Sequence, residues 1–365
     1  MLKLIHIKEG IRIFAASLKS RFRDIKKYSG NAAEICRAIV KERWNGSYFE
    51  TGARNFKQFW TRDFGWCAHA LVELGFDEAV KKTLVYALEA FSKHGEITTT
   101  ISPKGKPYNV FSLAPDSLAF LLKAIRDSKN SSLVEQYNGF LTEQIGHYFN
   151  AIVDRETGLV RKDAIFSSIK DLAKRRSSCY DNCMLGMTSK LLNELNLPNP
   201  LKEYNYKKII KEHFWNGNFF IEELDGPERI TGDSNLFPFW CGLFTNKKMF
   251  RSALDAIRDE GLDSPLPLRY SIKKSKMLPW NIVVPNYEGS TIWTHLGILF
   301  IETVTSFCPA IAKEYMEKYS RIIERYRNFL EVFDENCKPY SSPFYFCEEG
   351  MLWACVFLKI RKRLA

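Results

Sequence analysis

The sequence lacks the short motifs that identify several large classes of enzymes. It has no Gly-x-x-x-x-Gly-Lys or Gly-x-Gly-x-x-Gly loop that would cradle a phosphate, and no His-x-x-x-His pair at zinc-ligand spacing. A Gly-x-Ser-x-Gly nucleophile turn is also absent, which weakens the case for a serine hydrolase. The six histidines lie far apart in the chain. We therefore expect no metal ion and no cofactor.

Disulfide and membrane-spanning patterns are also missing. The nine cysteines are an odd number, are scattered and include no Cys-x-x-Cys pair, which is typical of reduced core residues. No run of eighteen apolar residues and no uncharged leader segment is present. We expect a cytoplasmic protein.

The net charge of +11 is not accompanied by a motif that reads nucleic acid, so we expect a solvated basic surface and no nucleic-acid partner. Basic residues concentrate in the first thirty residues and in 359–363. Residues 1–27 mix them with apolar residues at helical spacing, which fits a membrane-surface or transit helix. It also fits a first helix that packs on the body of the protein. We favour the packed helix, over residues 1–30, and expect no membrane partner.

Apolar residues that recur at three- and four-residue steps predict a dozen helices. The predicted helices are 31–43, 62–75, 77–93, 115–127, 131–150, 178–195, 201–213, 234–245, 247–259, 289–306, 310–333 and 348–363. Short runs at 97–101 and 219–221 fit hairpins in loops better than a sheet. The sequence therefore predicts an all-α fold.

The connections between these helices alternate between short and long. Six long connections carry polar and aromatic residues, at 44–61, 94–114, 151–177, 214–233, 260–288 and 334–347. Helical hairpins arranged in a ring, with the long loops gathered at one end, would show this alternation. The segment 289–301 has no charge, as a helix covered on all sides requires. We predict one (α/α)6 toroid domain over residues 1–365.

Arg62 and Asp63 lie between Trp60 and Trp66, where a loop enters an amphipathic helix. Thr61 is placed to cap that helix, and an aspartate in the first turn is favoured by the helix dipole. A guanidinium fork, a carboxylate and flanking aromatic rings suit the hydroxyls and the apolar face of a sugar. The same residues also fit a cap and a salt bridge that merely start a helix.

Two further carboxylates fall where predicted helices meet long connections. Asp181 begins an apolar helix after Tyr180, where partial desolvation would raise its pKa and suit a general acid; an N-cap is the alternative. Glu331 falls near the end of the predicted helix 310–333, where an acid opposes the helix dipole. A catalytic base would explain that position, and a solvated helix end is the alternative. Two carboxylates in different environments are the minimum set for glycosidic hydrolysis.

These residues resemble the (α/α)6-barrel glycoside hydrolases of the glucoamylase, trehalase and neutral-invertase kind. Trp-Thr-Arg-Asp at 60–63 is similar to a glucoamylase stretch whose Arg and Asp hold hydroxyls of the sugar being cleaved. Residues 331–354 resemble the catalytic-base segment of these enzymes, and residues 180–182 resemble the acid-bearing Asp-Asn of processing-glucosidase and trehalase-like families. Residues 289–293 resemble an Arg-Gly-Pro-Val-Trp motif, and residues 232–238 a loop of similar enzymes. The similarity runs from about residue 44 to the C-terminus.

The sequence departs from this pattern at the acid, at one subsite and around the base. The glucoamylase acid, a Glu in a Trp-Glu-Glu context, is missing, so the acid role of Asp181 comes from a different branch. Glu288 replaces the arginine before residue 289. The sequence leaves competing residues open, namely Glu222 and Glu223 for the acid and Glu348 and Glu349 for the base. The last two precede the final predicted helix, as capping acids would.

The resemblance implies an inverting exo-glycoside hydrolase that acts on an α-linked gluco-oligosaccharide or disaccharide, with Asp181 as general acid and Glu331 as general base. With the aromatic platforms, it predicts a set of substrate-binding residues: Trp60, Arg62, Asp63, Trp66, Tyr108, Tyr180, Asn182, Asp233, Asn235, Tyr287 and Trp293. Trp240 and Trp280 are further possible platforms. The expected partner is a small carbohydrate, while the sugar, the linkage and the oligomeric state are not specified.

Two other classes of function fit the same sequence. A sugar epimerase or isomerase would use histidines as acid and base, and His69 and His295 both fall on predicted inner helices. A lone histidine on an apolar face is more often a core residue. A non-catalytic carbohydrate-binding or scaffold protein would keep its ligand after both carboxylates were removed.

Overall fold

The computed structural model describes residues 4–273 and 283–365, and helices dominate this part of the chain. The helices are α1 (Leu4–Arg21), α2 (Ala32–Arg43), α3 (Thr61–Glu73), α4 (Asp77–His94), α5 (Pro115–Asp127), α6 (Ser131–Gln136), α7 (Asn138–Ile152), α8 (Cys179–Glu194), α9 (Tyr206–Phe214), α10 (Gly232–Trp240), α11 (Lys247–Asp259), α12 (Thr294–Phe307), α13 (Pro309–Tyr326) and α14 (Ala354–Leu364). The predicted all-α class is confirmed.

Six of these helices contact one another in a closed cycle. Helix α3 contacts α5, which contacts α8, and the contacts continue through α10, α12 and α14 back to α3. Each member also packs on at least one helix outside the cycle, chiefly α4, α7, α9, α11, α13 and α2 respectively. Six helical hairpins in a ring would give this order of contacts. The long connections lead into the N-terminal ends of the cycle helices.

Short polar and conformationally restricted residues set several helix ends. The Asn31 side chain accepts hydrogen bonds from the backbone of Ala33 and Glu34, and the Glu34 side chain closes a capping box on Asn31. Pro115 occupies the first turn of α5, where its missing N–H costs nothing. Gly95 ends α4 in the left-handed region at φ 80°.

Two small sheets brace the connections. Strand β1 (Phe59–Trp60) pairs antiparallel with β2 (Thr100–Ile101), and β2 pairs with β3 (Pro107–Tyr108), so the predicted hairpin near 97–101 is present. Strand β4 (Ile292–Trp293) pairs with β5 (Val332–Phe333). Both sheets lie next to cycle helices and fix where the connections enter them. At 219–221 the chain forms only isolated bridges, Trp215 with Phe220 and Ile221 with Ile230.

Several predicted helix bounds were wrong. Helix α13 ends at Tyr326, because Arg327 adopts a left-handed φ of 51° and residues 332–333 pair as a strand. Glu331 therefore lies directly before β5 and not in a helix. The predicted helix 131–150 is divided at Tyr137, and 289–306 begins only at Thr294, after β4.

Buried hydrophobic residues form one cluster that extends from Tyr28 to Ile360. Helix α12 is buried from Thr294 to Val304 except at Glu302, as the uncharged segment 289–301 predicts for its first half. All nine cysteines are free thiols, seven of them buried. Within the described residues, no helix is long and apolar enough to cross a membrane.

Candidate active site

A cavity of about 480 Å³ is bordered by the ends of the long connections. Five of the six connections contribute lining residues, as do α3, α12 and one side of α1; the connection between α9 and α10 contributes none. The cavity therefore brings together residues from both ends of the chain. Eight of the thirteen predicted site residues border it: Trp60, Arg62, Asp63, Trp66, Tyr108, Tyr287, Trp293 and Glu331.

Arg62 and Asp63 are buried in the first turn of α3, and their side chains are held by different partners. Arg62 Nε donates to Asp116 Oδ2 at 2.6 Å. Asp63 Oδ1 accepts a hydrogen bond from the indole of Trp353 at 2.9 Å, and burial raises the pKa of Asp63 to about 7. Thr61 does not cap the helix; its hydroxyl donates to the Thr98 carbonyl.

Glu331 is held by three donors at the wall of the cavity. Tyr287 donates to Oε1 at 2.5 Å, Tyr345 donates to Oε2 at 2.7 Å, and the Glu348 backbone N–H donates to Oε2 at 2.8 Å. Burial nonetheless raises the pKa of Glu331. A buried carboxylate fixed in orientation and raised in pKa can act as a general base.

A second pair of carboxyl groups, Glu288 and Asp171, borders the same cavity. The Leu172 backbone N–H donates to Glu288 at 3.1 Å, while burial and the neighbouring Asp171 raise the pKa of Glu288 to about 8. Burial also raises the pKa of Asp171, although Arg62 and Ser167 lower it in part. At neutral pH the Glu288 carboxyl is therefore protonated and able to give up a proton.

An aromatic wall completes the cavity. The rings of Trp66 and His295 stack at 4.7 Å, and burial, with Arg62 adding to the effect, holds the pKa of His295 well below its usual value. The buried indole N–H groups of Trp60 and Trp66 have no hydrogen-bond partner among the described residues. They are available to the hydroxyl groups of a ligand.

The other five predicted site residues do not border the cavity. Tyr180 donates to Asp116 at 2.7 Å, and Asn182 accepts from the Val160 backbone and donates to Ser178. Asp233 pairs with Arg175 at 2.7 Å. The Asn235 side chain accepts the Phe220 backbone N–H and donates to the Thr231 carbonyl. These side chains fix loops and helix starts behind the cavity wall.

Asp181, the predicted general acid, does not border the cavity. Ser178 caps α8, and its hydroxyl also donates to Asp181 Oδ2 at 2.6 Å. Burial raises the pKa of Asp181, as expected. However, Ile169, Asp171 and Leu172 of the preceding connection border the cavity, whereas Asp181 does not.

The competing carboxylates are engaged elsewhere. Although burial alone would raise it, the pKa of Glu222 is held well below its usual range by Lys170, Arg175 and Arg229, so Glu222 is a poor acid. Glu223 accepts the Arg176 backbone N–H.

Glu348 and Glu349 do not cap α14, which begins only at Ala354. Glu348 accepts backbone N–H groups of Arg54 and Phe56, and Glu349 accepts that of Lys26. Both therefore anchor the N-terminal segments next to the cavity.

Sequence reasoning missed several cavity residues, including Asp171, Tyr345, His295 as a wall residue, and the lining side of α1. Glu288 was noted only as a departure from a motif. Its position between Tyr287 and an uncharged helix was the available signal. Trp280 lies outside the described residues, and Trp240 donates to Glu302 away from the cavity. Within 4–273 and 283–365, no cluster of three or more His, Cys, Asp or Glu side chains is placed to hold a metal ion.

Comparison with known proteins gives matches in structure but not in sequence. No protein-family model matches the chain, and no curated protein matches it. The rhamnosidase from Klebsiella oxytoca with rhamnose bound has a TM-score of 0.65 and 12% identity over 92% of this chain and 65% of that one. The GH63 mannosylglycerate hydrolase from Thermus thermophilus, in complex with Tris and D-glycerate, has a TM-score of 0.64 and 11% identity over 91% of this chain and 100% of that one.

The same hydrolase in complex with glucose gives a TM-score of 0.63, with 11% identity over 92% of this chain. The chain thus spans just under two thirds of the rhamnosidase and the whole of the mannosylglycerate hydrolase. At these identities the likeness concerns the fold. The resemblance to (α/α)6-barrel glycoside hydrolases predicted from the sequence is confirmed at that level.

Proposed function

We propose that this protein is a glycoside hydrolase built on an (α/α)6 toroid, acting on a small carbohydrate. The observation that carries the proposal is Glu331, a carboxylate clamped by two tyrosines and a backbone N–H at the wall of a cavity. Arg62 and Asp63 border the same cavity, as do carboxyl groups of raised pKa. A cavity of a few hundred cubic ångströms with a few convergent polar groups is typical of small-molecule sites.

In this mechanism Glu331 is the general base that activates water. Tyr287 and Tyr345 orient its carboxylate, and its raised pKa increases its proton affinity. Inversion requires the acid and the base to stand roughly 6.5–9.5 Å apart, so that water fits between the base and the sugar.

The proton donor is either Glu288 or Asp181. Glu288 is favoured by the structure, because its carboxyl borders the cavity and its pKa is raised to about 8. Asp181 is favoured by the sequence resemblance, although it does not border the cavity.

The remaining cavity residues bind the sugar in this proposal. Arg62 and Asp63 orient hydroxyls of the terminal sugar, and Trp293 offers a ring face. Trp60 and Trp66 donate their indole N–H groups, which have no hydrogen-bond partner in the described part of the chain. The neighbours bind rhamnose, glucose or D-glycerate. Following the resemblance, we propose exo-cleavage of an α-linked gluco-oligosaccharide or disaccharide.

The test is hydrolysis of a panel of α- and β-linked disaccharides, with the product anomer followed by NMR. Glu331→Gln should lower kcat by at least about a thousandfold while thermal unfolding is unchanged, since the amide keeps the shape but not the basicity. Glu288→Gln and Asp181→Asn then identify the acid. Only the variant that lacks the true proton donor should lose activity on substrates with poor leaving groups. Normal turnover by Glu331→Gln would end the assignment of the base.

One observation favours an epimerase or isomerase as the second candidate. His295 borders the cavity, is neutral, and has a buried Nδ1 with no hydrogen-bond partner among the described residues. However, His69 lies away from the cavity, next to Lys359 and Glu73, so it cannot be the second acid-base group. Equilibration of two monosaccharides, abolished by His295→Gln but not by Glu331→Gln, would favour this class.

A further inference from the structure

Large hydrophobic side chains are exposed mainly along the first helix. Of the nine such residues with substantial exposure in the described part of the chain, five are Leu4, Ile7, Ile11 and Leu18 of α1 and Phe22 directly after it. Their steps of three, four, seven and four residues keep them on one side of the helix, over about 27 Å at 1.5 Å per residue. We call these five residues the apolar stripe.

Helix α1 is attached to the protein through a different side. The buried Ser17 hydroxyl donates to the Phe346 carbonyl at 3.1 Å and accepts the Phe346 backbone N–H at 2.6 Å. Arg12 donates to the Asn55 carbonyl, and Arg21 donates to the Pro343 carbonyl. With the contact of His6 Nε2 with the Asn109 carbonyl at 2.8 Å, these bonds dock the helix on three long connections, and none of them uses the stripe.

Positive charge lies beside the stripe. Lys8, Lys19 and Arg23 are exposed and form no ion pair with the described residues. The one acidic residue in the helix, Glu9, is paired with Arg12 at 2.8 Å. An exposed apolar stripe flanked by unpaired cations is the pattern of a helix that lies in the plane of an anionic membrane surface.

We propose that α1 docks the protein on an anionic lipid bilayer, with the apolar stripe among the acyl chains and Lys8, Lys19 and Arg23 at the lipid phosphates. A purely apolar protein partner would gain nothing from these three cations, and this charge complementarity favours lipid. The proposal reverses our expectation from sequence that the helix serves only to pack on the body. It is independent of the proposed hydrolysis.

The stripe also adjoins the cavity. Ile7 and Ile11 are 47% and 64% exposed and at the same time border the cavity with Phe14. Docking through the stripe would therefore place the cavity's α1 side at the level of the lipid headgroups.

The test is flotation of the full-length protein with vesicles of phosphatidylcholine alone and of phosphatidylcholine with 30% phosphatidylglycerol. The native chain should bind the anionic vesicles, and binding should weaken as salt is raised. Leu18→Ser/Phe22→Ser and Lys8→Glu/Lys19→Glu should each weaken binding about tenfold or more. Matched controls are Ile272→Ser, an exposed apolar residue off α1, and Lys207→Glu/Lys211→Glu on α9; both should bind as the native chain does.

Three outcomes would overturn the proposal. The native chain could fail to bind the anionic vesicles, or the stripe variants could bind as well as the controls. Alternatively, light scattering could show a dimer that the stripe variants dissociate, which would make a second copy of the chain the occupant. Unchanged thermal unfolding of the variants would exclude misfolding as the cause of lost binding.

Discussion

Asp116 shows how a residue outside the cavity organises it. Its carboxylate, fully buried at the start of α5, accepts hydrogen bonds from Arg62 of α3 and Tyr180 of α8. One acid thereby joins the first turns of three neighbouring cycle helices and compensates the buried charge of Arg62. Tyr180, predicted to bind substrate, instead helps to position the arginine that borders the cavity.

Site residues could be predicted from the sequence where the groups that define them are neighbours in the chain. Residues that join the site only through tertiary packing were missed. Arg62 and Asp63 could be predicted because the aromatic flanks and the helix start are adjacent in sequence. The position of Asp181 outside the cavity could not, because the set of lining residues depends on how the connection before α8 folds. Glu288 borders the same cavity as Glu331, and Tyr345 donates to Glu331, only through tertiary packing.

Glu288 should make folding stability depend on pH. Its pKa is about 8 in the folded protein and 4.5 in its reference state, so the folded form keeps a proton that the unfolded form has lost between those values. The neutral Glu288 carboxyl therefore contributes most to the free energy of unfolding below about pH 4.5. This contribution falls as pH rises towards 8, by up to about 1.4 kcal/mol per pH unit. We expect the free energy of unfolding of Glu288→Gln, measured in urea at pH 5, 6, 7 and 8, to fall less steeply with pH than that of the native chain.

The control for this measurement is Glu203→Gln, since Glu203 is exposed and its ion pair with Lys202 is long, at 3.8 Å. It should leave the pH dependence of the native chain unchanged. Parallel curves for Glu288→Gln and the native chain would show that Glu288 ionises normally in the folded state.

At the scale of elements, local sequence signals predicted the bounds of some helices correctly. The bounds of others differ from the prediction because strands form by pairing with distant residues. Helices α5 and α11 have the predicted bounds, because Pro115 and the Asn246 cap start them. The end of α13 could not be predicted, because β5 forms only by pairing with β4, some forty residues earlier in the chain. Similarly, the hydrophobic pattern of α1 predicted a helix but not which side would be covered.

Gly297 allows α12 to approach its neighbours closely. A Cβ atom at this position would overlap the Pro267 carbonyl and the Tyr319 hydroxyl, which are themselves hydrogen-bonded at 2.6 Å. Gly297→Ala should therefore lower the free energy of unfolding by about 1–3 kcal/mol, measured by chemical denaturation. Gly146→Ala on α7 is the control, because a Cβ there meets nothing within 4 Å; it should be neutral or stabilising by about 0.5–1 kcal/mol. Equal effects of the two substitutions would argue against this close approach.

At the scale of the whole molecule, the cavity joins segments that are distant in sequence. The first helix, the start of α3, the start of α12 and the connection before α14 all border it. This assembly explains why no single motif identified the site, although the order of the motifs along the chain predicted the fold.

Gly10 tests whether α1 forms a wall of the ligand site. It lies within α1, borders the cavity, and has open space around the position of a Cβ atom. In Gly10→Phe the new side chain should project into that space, so KM for the sugar should rise about tenfold while kcat changes little. Thermal stability should be unchanged or slightly higher, since phenylalanine favours a helix more than glycine does. Gly139→Phe at the exposed start of α7 is the matched control. If both variants bind sugar as the native chain does, substrate does not contact α1, and the wall that binds it is formed by the connections, α3 and α12.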